Sequence, residues 1–116
     1  MPHFAIIGSG AMGSAVAKRL IDRGVTVLTH LEGRSEQTIA RAMAAGMVPV
    51  GRQELTKAEL ILSIVPPAQA IKVAEFVAGI SSGMPAPPPF IDLNAIAPKT
   101  MQALAARFDG SGVEVL

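Results

Sequence analysis

No cysteine, tryptophan or tyrosine occurs in this chain of 116 residues, and phenylalanine occurs only four times. Without cysteine there are no disulfides, no thiolate metal ligands and no cysteine nucleophile, a usage that fits a cytoplasmic protein. So few aromatic rings leave no platform on which bases could stack. A formal net charge of +1 gives no electrostatic case for binding nucleic acid. Half of the residues are hydrophobic, much of that share alanine, yet no apolar run approaches the roughly 18 residues of a membrane span. The first residues lack a basic stretch and run at once into glycines, so they do not read as a signal peptide. The expectation is one soluble domain, with neither nucleic acid nor membrane as a partner. No internal repeat, no Ser-His-Asp spacing and no metal cluster stands out.

What is present is alternation. Residues 3–7 are a short apolar run that ends in Gly8-Ser9-Gly10. From Ala11 the period becomes helical, with Met12, Ala15, Val16, Leu20 and Ile21 able to share one face. Gly24 suits the stop of that helix. Residues 25–28, rich in β-branched side chains, predict a second strand. Ser35 suits the N-cap of a helix over residues 36–45, which Gly46 stops. Residues 47–50 read as a short strand weakened by Pro49, and residues 53–59 as a polar helical piece. The nearly continuous apolar run at 60–65 predicts a central strand buried on both faces. Pro66-Pro67 closes it, and a helix over about 68–78 follows. A stiff proline-rich loop at 82–89 leads to a strand at 90–93. Pro98 suits the start of a helix running to about 108, and residues 113–116 begin another strand. This order predicts a Rossmann-type α/β fold: a doubly wound parallel sheet in three α/β/α layers, with right-handed crossovers. Its ligand would sit at the switch point beside the first strand.

Gly8-Ser9-Gly10-Ala11-Met12-Gly13 fits G-x-G-x-x-G. The pattern carries weight here because it follows a strand and opens a helix within a βαβ unit. Gly8 permits the tight turn, Gly10 lets backbone approach a pyrophosphate, and Gly13 lets the helix lie close to the strand. The free N–H groups and positive end of the helix then hold the anion. No Gly-Lys-Ser/Thr follows, which excludes a Walker loop. The cofactor expected is NADP, with NAD as the other possibility, and the turn His30-Leu31-Glu32-Gly33-Arg34-Ser35 bears on the choice. An acid such as Glu32, about 20 residues past the loop, would accept bonds from ribose hydroxyls and select NAD. Glu32 falls beyond the expected strand end, however, and Thr29 and His30 at that end carry no negative charge. Arg34 and Ser35, at the entrance to a helix, can instead hold a 2′-phosphate through a guanidinium fork, a hydroxyl and the helix dipole. The plain alternative is a solvated Arg34 paired with Glu32, and a Ser35 that only caps.

The segments "FAIIGSGAMGSAVAKRL", "ILSIVPPAQA" and "FIDLNAIAPKT", with "GRS" in place of the family's Asn-Arg-Ser/Thr, resemble the N-terminal NAD(P)-binding domain of the β-hydroxyacid dehydrogenases. That family includes 6-phosphogluconate dehydrogenase and 3-hydroxyisobutyrate dehydrogenase. The resemblance implies that Gly8, Ser9, Gly10, Ala11, Met12 and Gly13 hold the pyrophosphate. It implies that Arg34 and Ser35 hold the 2′-phosphate, and that Val65 and Pro66 line the groove near the riboses. Asn94 and Ala95 fall where the family usually carries Ser or Thr that touch substrate near the nicotinamide. An Asn can bond a carboxylate or a ribose there; it can also be a turn residue capping the helix at Pro98.

The family's chemistry, as the resemblance implies it, oxidises a hydroxyl beside a carboxylate, with a lysine as general acid/base and the nicotinamide taking the hydride. That lysine lies in a second, all-helical domain. Lys18, Lys57, Lys72 and Lys99 are poor substitutes, and no residue of this chain is assigned a catalytic role. The expectation is a cofactor-binding half, inactive alone, of an oxidoreductase acting on a small hydroxy acid. A pyrroline-carboxylate-type or F420-dependent reductase, or a non-catalytic nucleotide-binding module, are the alternatives. Apolar side chains left open beside the last strand predict a homodimer.

Overall fold

In the computed structural model, which describes residues 2–8, 10–94 and 96–116, five short strands pair in one direction. Ser9 and Ala95, both named above, lie outside the described residues. The strands are β1 (His3–Ile7), β2 (Thr26–Thr29), β3 (Val48–Pro49), β4 (Leu60–Ser63) and β5 (Phe90–Asp92). They lie in the order β3-β2-β1-β4-β5, every neighbour parallel. Between them run α1 (Ala11–Asp22), α2 (Glu36–Ala44), α3 (Ala70–Ser81) and α4 (Pro98–Ala106). The chain moves outward from β1 to β3, then returns to the other side of β1 for β4 and β5. This reversal opens a crevice at the carboxyl ends of β1 and β4, the ligand position of doubly wound sheets. The fold is Rossmann-type. None of the described helices is long and apolar enough to cross a membrane.

Strand alternation builds two cores. Ala5, Leu28, Ile61 and Phe90 point to one face, where they meet Val73, Ala74, Val77 and Ile80 of α3, Leu104 of α4, and Phe108. Their neighbours Ile6, Val27 and Leu62 point to the other face and meet Ala17 of α1 and Ala42 of α2. Consecutive strand residues both buried are what a sheet covered on two sides requires. The Thr29 hydroxyl, buried at the end of β2, donates to the Ile6 carbonyl at 2.9 Å. Thr29→Val keeps the shape and removes this donor. It should cost about 1 kcal/mol and lower the melting temperature by roughly 4 °C, as read by circular dichroism. A rise in melting temperature would show that the hydroxyl is a burden.

The structure moves several expected boundaries. On α1 the face against the sheet is Gly13, Ser14 and Ala17, with Val16, Leu20 and Ile21 only partly buried; Met12 is 69% exposed and Ala15 is exposed. Small residues face inward because this helix lies too close to the sheet for large ones. The polar piece before β4 is a 3₁₀ helix, Arg52–Lys57, whose Leu55 is fully buried. β3 is two residues at the sheet edge, where Pro49 is tolerated because its N side faces away from β2, and Val50 N–H still reaches the Thr29 carbonyl at 2.8 Å. β4 stops at Ser63 rather than residue 65, although Ile64 N–H still reaches the Ile7 carbonyl at 2.9 Å. A 3₁₀ turn, Pro67–Gln69, precedes α3, which runs on to Ser81 instead of ending near 78. The expected last strand is reduced to one parallel bridge, Val115 to Phe90.

Candidate cofactor groove

At the crevice the glycine turn is shaped by contact. Gly8 has φ +117°, and a Cβ built there would stand 1.8 Å from the Ile64 carbonyl oxygen. The turn therefore lies directly against the end of β4, in a conformation that L side chains rarely adopt. A Cβ on Gly13 would stand 1.8 Å from the Gly8 carbonyl oxygen, which brings α1 down onto β1. A Cβ on Gly10 would meet nothing within 4 Å. Its space is open, as close approach of a ligand to backbone requires. Gly10 is also the N-cap of α1, with no side-chain cap and no acid in the first turn. Nothing on those side chains competes with an anion for the helix end.

From here a groove of about 430 Å³ extends along the ends of β4 and β5. That volume lies in the range of small-molecule sites, roughly 300–1,000 Å³. Gly10, Ala11, Met12 and Gly13 line it from the loop and α1; Val65, Pro66 and Asn94 line it from the strand ends. Seven of the residues expected from the sequence are thus brought together, and Gly8 supports the turn they share. Ile64, Pro67 and Leu93 also line the groove. The signal for them was available, since all three sit at or just past the carboxyl ends of parallel strands. None of these lining residues has a titratable side chain, and the four lysines are all exposed and outside the groove.

Asn94 does not cap α4; Ala97 is that cap. Instead its carboxamide reaches back to β4, accepting from Val65 N–H at 2.7 Å and donating to Ser63 Oγ at 3.2 Å. Arg34 and Ser35 lie outside the groove, one strand over, in the turn that leaves β2 on the same edge of the sheet. Gly33 at φ +77° turns the chain there. Ser35 is the N-cap of α2, its hydroxyl oxygen accepting from Thr38 N–H at 3.2 Å. Arg34 is exposed. Glu32 does not pair with it: its carboxylate stands 3.5 Å from His30 Nε2, an ion pair only when the imidazole is protonated. The His30 ring packs on Phe76, centroids 5.6 Å apart.

Residues 3–116 match the family described as the NAD binding domain of 6-phosphogluconate dehydrogenase. The chain belongs to that family. Its fit to the domain is visible in the turn at Gly8, the open space at Gly10 and the close helix at Gly13. No curated protein sequence matches it. Among solved structures, this NAD-binding domain is similar to a conserved protein of unknown function, itself described as structurally similar to 3-hydroxyacid dehydrogenases. Identity is 28% and TM-score 0.81, over 93% of this chain and 40% of that one. It also shares its fold with 3-hydroxyisobutyrate dehydrogenase of Mycobacterium tuberculosis, at 19% identity and TM-score 0.78, over 99% of this chain and 39% of that one. A Streptomyces aurantiacus imine reductase shares the fold at 23% identity and TM-score 0.76, over 97% of this chain and 39% of that one. The chain therefore spans about 40% of the length of the solved structures it matches.

Proposed function

We propose that this chain is the cofactor-binding part of an oxidoreductase that acts on a small hydroxy acid, and that it prefers NADP to NAD. The bound dinucleotide would supply the hydride chemistry. The chain's own residues bind and orient it. The α1 end and Gly10 backbone take the pyrophosphate, the β4–β5 ends take the nicotinamide half, and the turn after β2 takes the adenosine half. The observation that carries the cofactor preference is the arrangement of that turn. Arg34 is exposed beside the N-terminus of α2, while Glu32 leans on His30 and Thr29 is buried and bonded to β1. A guanidinium and a helix end suit a dianionic 2′-phosphate. Because the described lining of the groove is untitratable, the proton of the reaction would pass through a group outside that lining, and the chain alone would turn over little.

Calorimetric titration with NADPH and NADH tests the preference. Arg34→Ala should weaken NADPH by about 1.5–3 kcal/mol and leave NADH nearly unchanged. Equal losses for the two cofactors would sink the phosphate fork; no binding of either by the unmodified chain would favour a non-catalytic module. A second reading, reduction of a C=N bond, draws on the imine reductases among the solved structures that share this fold. Assays with hydroxy acids in the presence of NADP+ and with cyclic imines in the presence of NADPH separate the two.

A further inference from the structure

The ladder between β4 and β5 is regular until its last rung. Ile61 N–H donates to the Pro89 carbonyl at 3.0 Å, and Leu93 N–H to the Ser63 carbonyl at 3.0 Å. The next rung of a parallel pair in this register would run from Val65 N–H to the Leu93 carbonyl. Val65 N–H goes instead to Asn94 Oδ1, at 2.7 Å. Asn94 Nδ2 donates to Ser63 Oγ at 3.2 Å, and Asn94 N–H donates to Asp92 Oδ1 at 2.6 Å. The carboxamide thus stands in for a peptide group. It closes the sheet by a side chain while the backbone after β5 turns away, and it relieves the Leu93 carbonyl of its ladder partner.

Val65, Pro66, Leu93 and Asn94 all line the groove. Pro66 and Pro67 have no N–H to offer, and that of Val65 is already taken. The β4 side of the groove consequently offers a ligand apolar surface and no backbone donor. Beyond the last ladder bond, the pair of bonds made by Asn94, across 29 and 31 residues of sequence, ties it to the β5 side.

We propose that Asn94 is a positioning residue for the nicotinamide half of the dinucleotide: it holds the Val65–Pro66 lip against the β5 end, and sets the groove width without being the group that touches the ligand. This rests on the cofactor reading above. The two halves of the ligand allow the test, because adenosine 2′,5′-bisphosphate carries the Arg34 side of NADPH and lacks the nicotinamide side.

Asn94→Ala, titrated well below its melting temperature, should bind NADPH about tenfold more weakly, the scale of one lost hydrogen bond. Adenosine 2′,5′-bisphosphate should bind it within about twofold of the unmodified chain, since its contacts lie elsewhere. Ser63→Ala keeps the Val65 bond and removes the other, so it should show the same selective loss at about threefold. It also carries the test if Asn94→Ala fails to fold. Equal weakening of both ligands would mean a general loss of structure and would overturn the proposal, as would no change in either. Failure of the unmodified chain to bind NADPH would remove the cofactor reading together with it; binding with flat variant profiles would remove only the role of Asn94.

Discussion

Gly13→Ala is expected to abolish measurable NADPH binding and to lower the melting temperature by roughly 12 °C or more. The added Cβ would stand 1.8 Å from the Gly8 carbonyl oxygen and 2.9 Å from its carbon. Both are backbone atoms, so no side chain can swing aside. Gly8 cannot retreat either, because its own Cα already faces the Ile64 carbonyl. The relief left is for α1 to lift from β1, which strains the packing of Ala17 by about 3 kcal/mol or more and carries the helix end away from the proposed pyrophosphate position. Gly10→Ala is the informative partner. Its Cβ meets no protein atom within 4 Å, so the fold should melt as before while NADPH binding falls. Calorimetry and thermal melts on the two variants separate a packing glycine from a ligand-clearance glycine. A Gly10→Ala chain that binds as tightly as the original would remove the loop as the phosphate site.

The second large effect belongs to Phe90. Its ring is fully buried on the α3–α4 face and packs at 4.8 Å, tilted by 38°, on Phe108. Phe90→Ala should cost about 3–5 kcal/mol, lost burial plus the cavity left in a core that only partly relaxes. That is a large part of the roughly 5–15 kcal/mol that holds a domain together. The expected fall in melting temperature is roughly 12–20 °C, checked together with the urea midpoint. The backbone of Phe90 should keep its bonds to Glu114 and Leu116, both at 2.8 Å, so the terminal segment need not detach first. A cost under about 1 kcal/mol would show that this core is not organised around the ring.

Much of the architecture was legible because it depends on local chemistry. Alternating apolar and helical periods are enough for the order of elements and the parallel sheet. Ser35 capping α2 follows from a hydroxyl three residues before a free N–H. The glycine turn was legible for a different reason, since each glycine answers a steric demand that few other residues meet. Local pattern misled where distance to a partner, not hydrophobicity, decides which side faces in. Counting apolar residues put Met12 and Ala15 of α1 inward, yet Gly13, Ser14 and Ala17 are the buried ones because β1 is so near. Strand ends shifted for a related reason: whether Val65 continues β4 depends on what the chain just past β5 offers, and it offers the Asn94 side chain.

The sequence by itself determined the fold class, the glycine turn and the family, because these rest on residue types that act within a few positions of one another. Only the tertiary structure decided which way Glu32 leans, which residues share the groove, and that Asn94 closes the sheet rather than capping α4. The physical reason is the same in each case. A polar side chain satisfies itself with whatever group the fold brings within about 3 Å, and for Asn94 that group comes from 29 residues away.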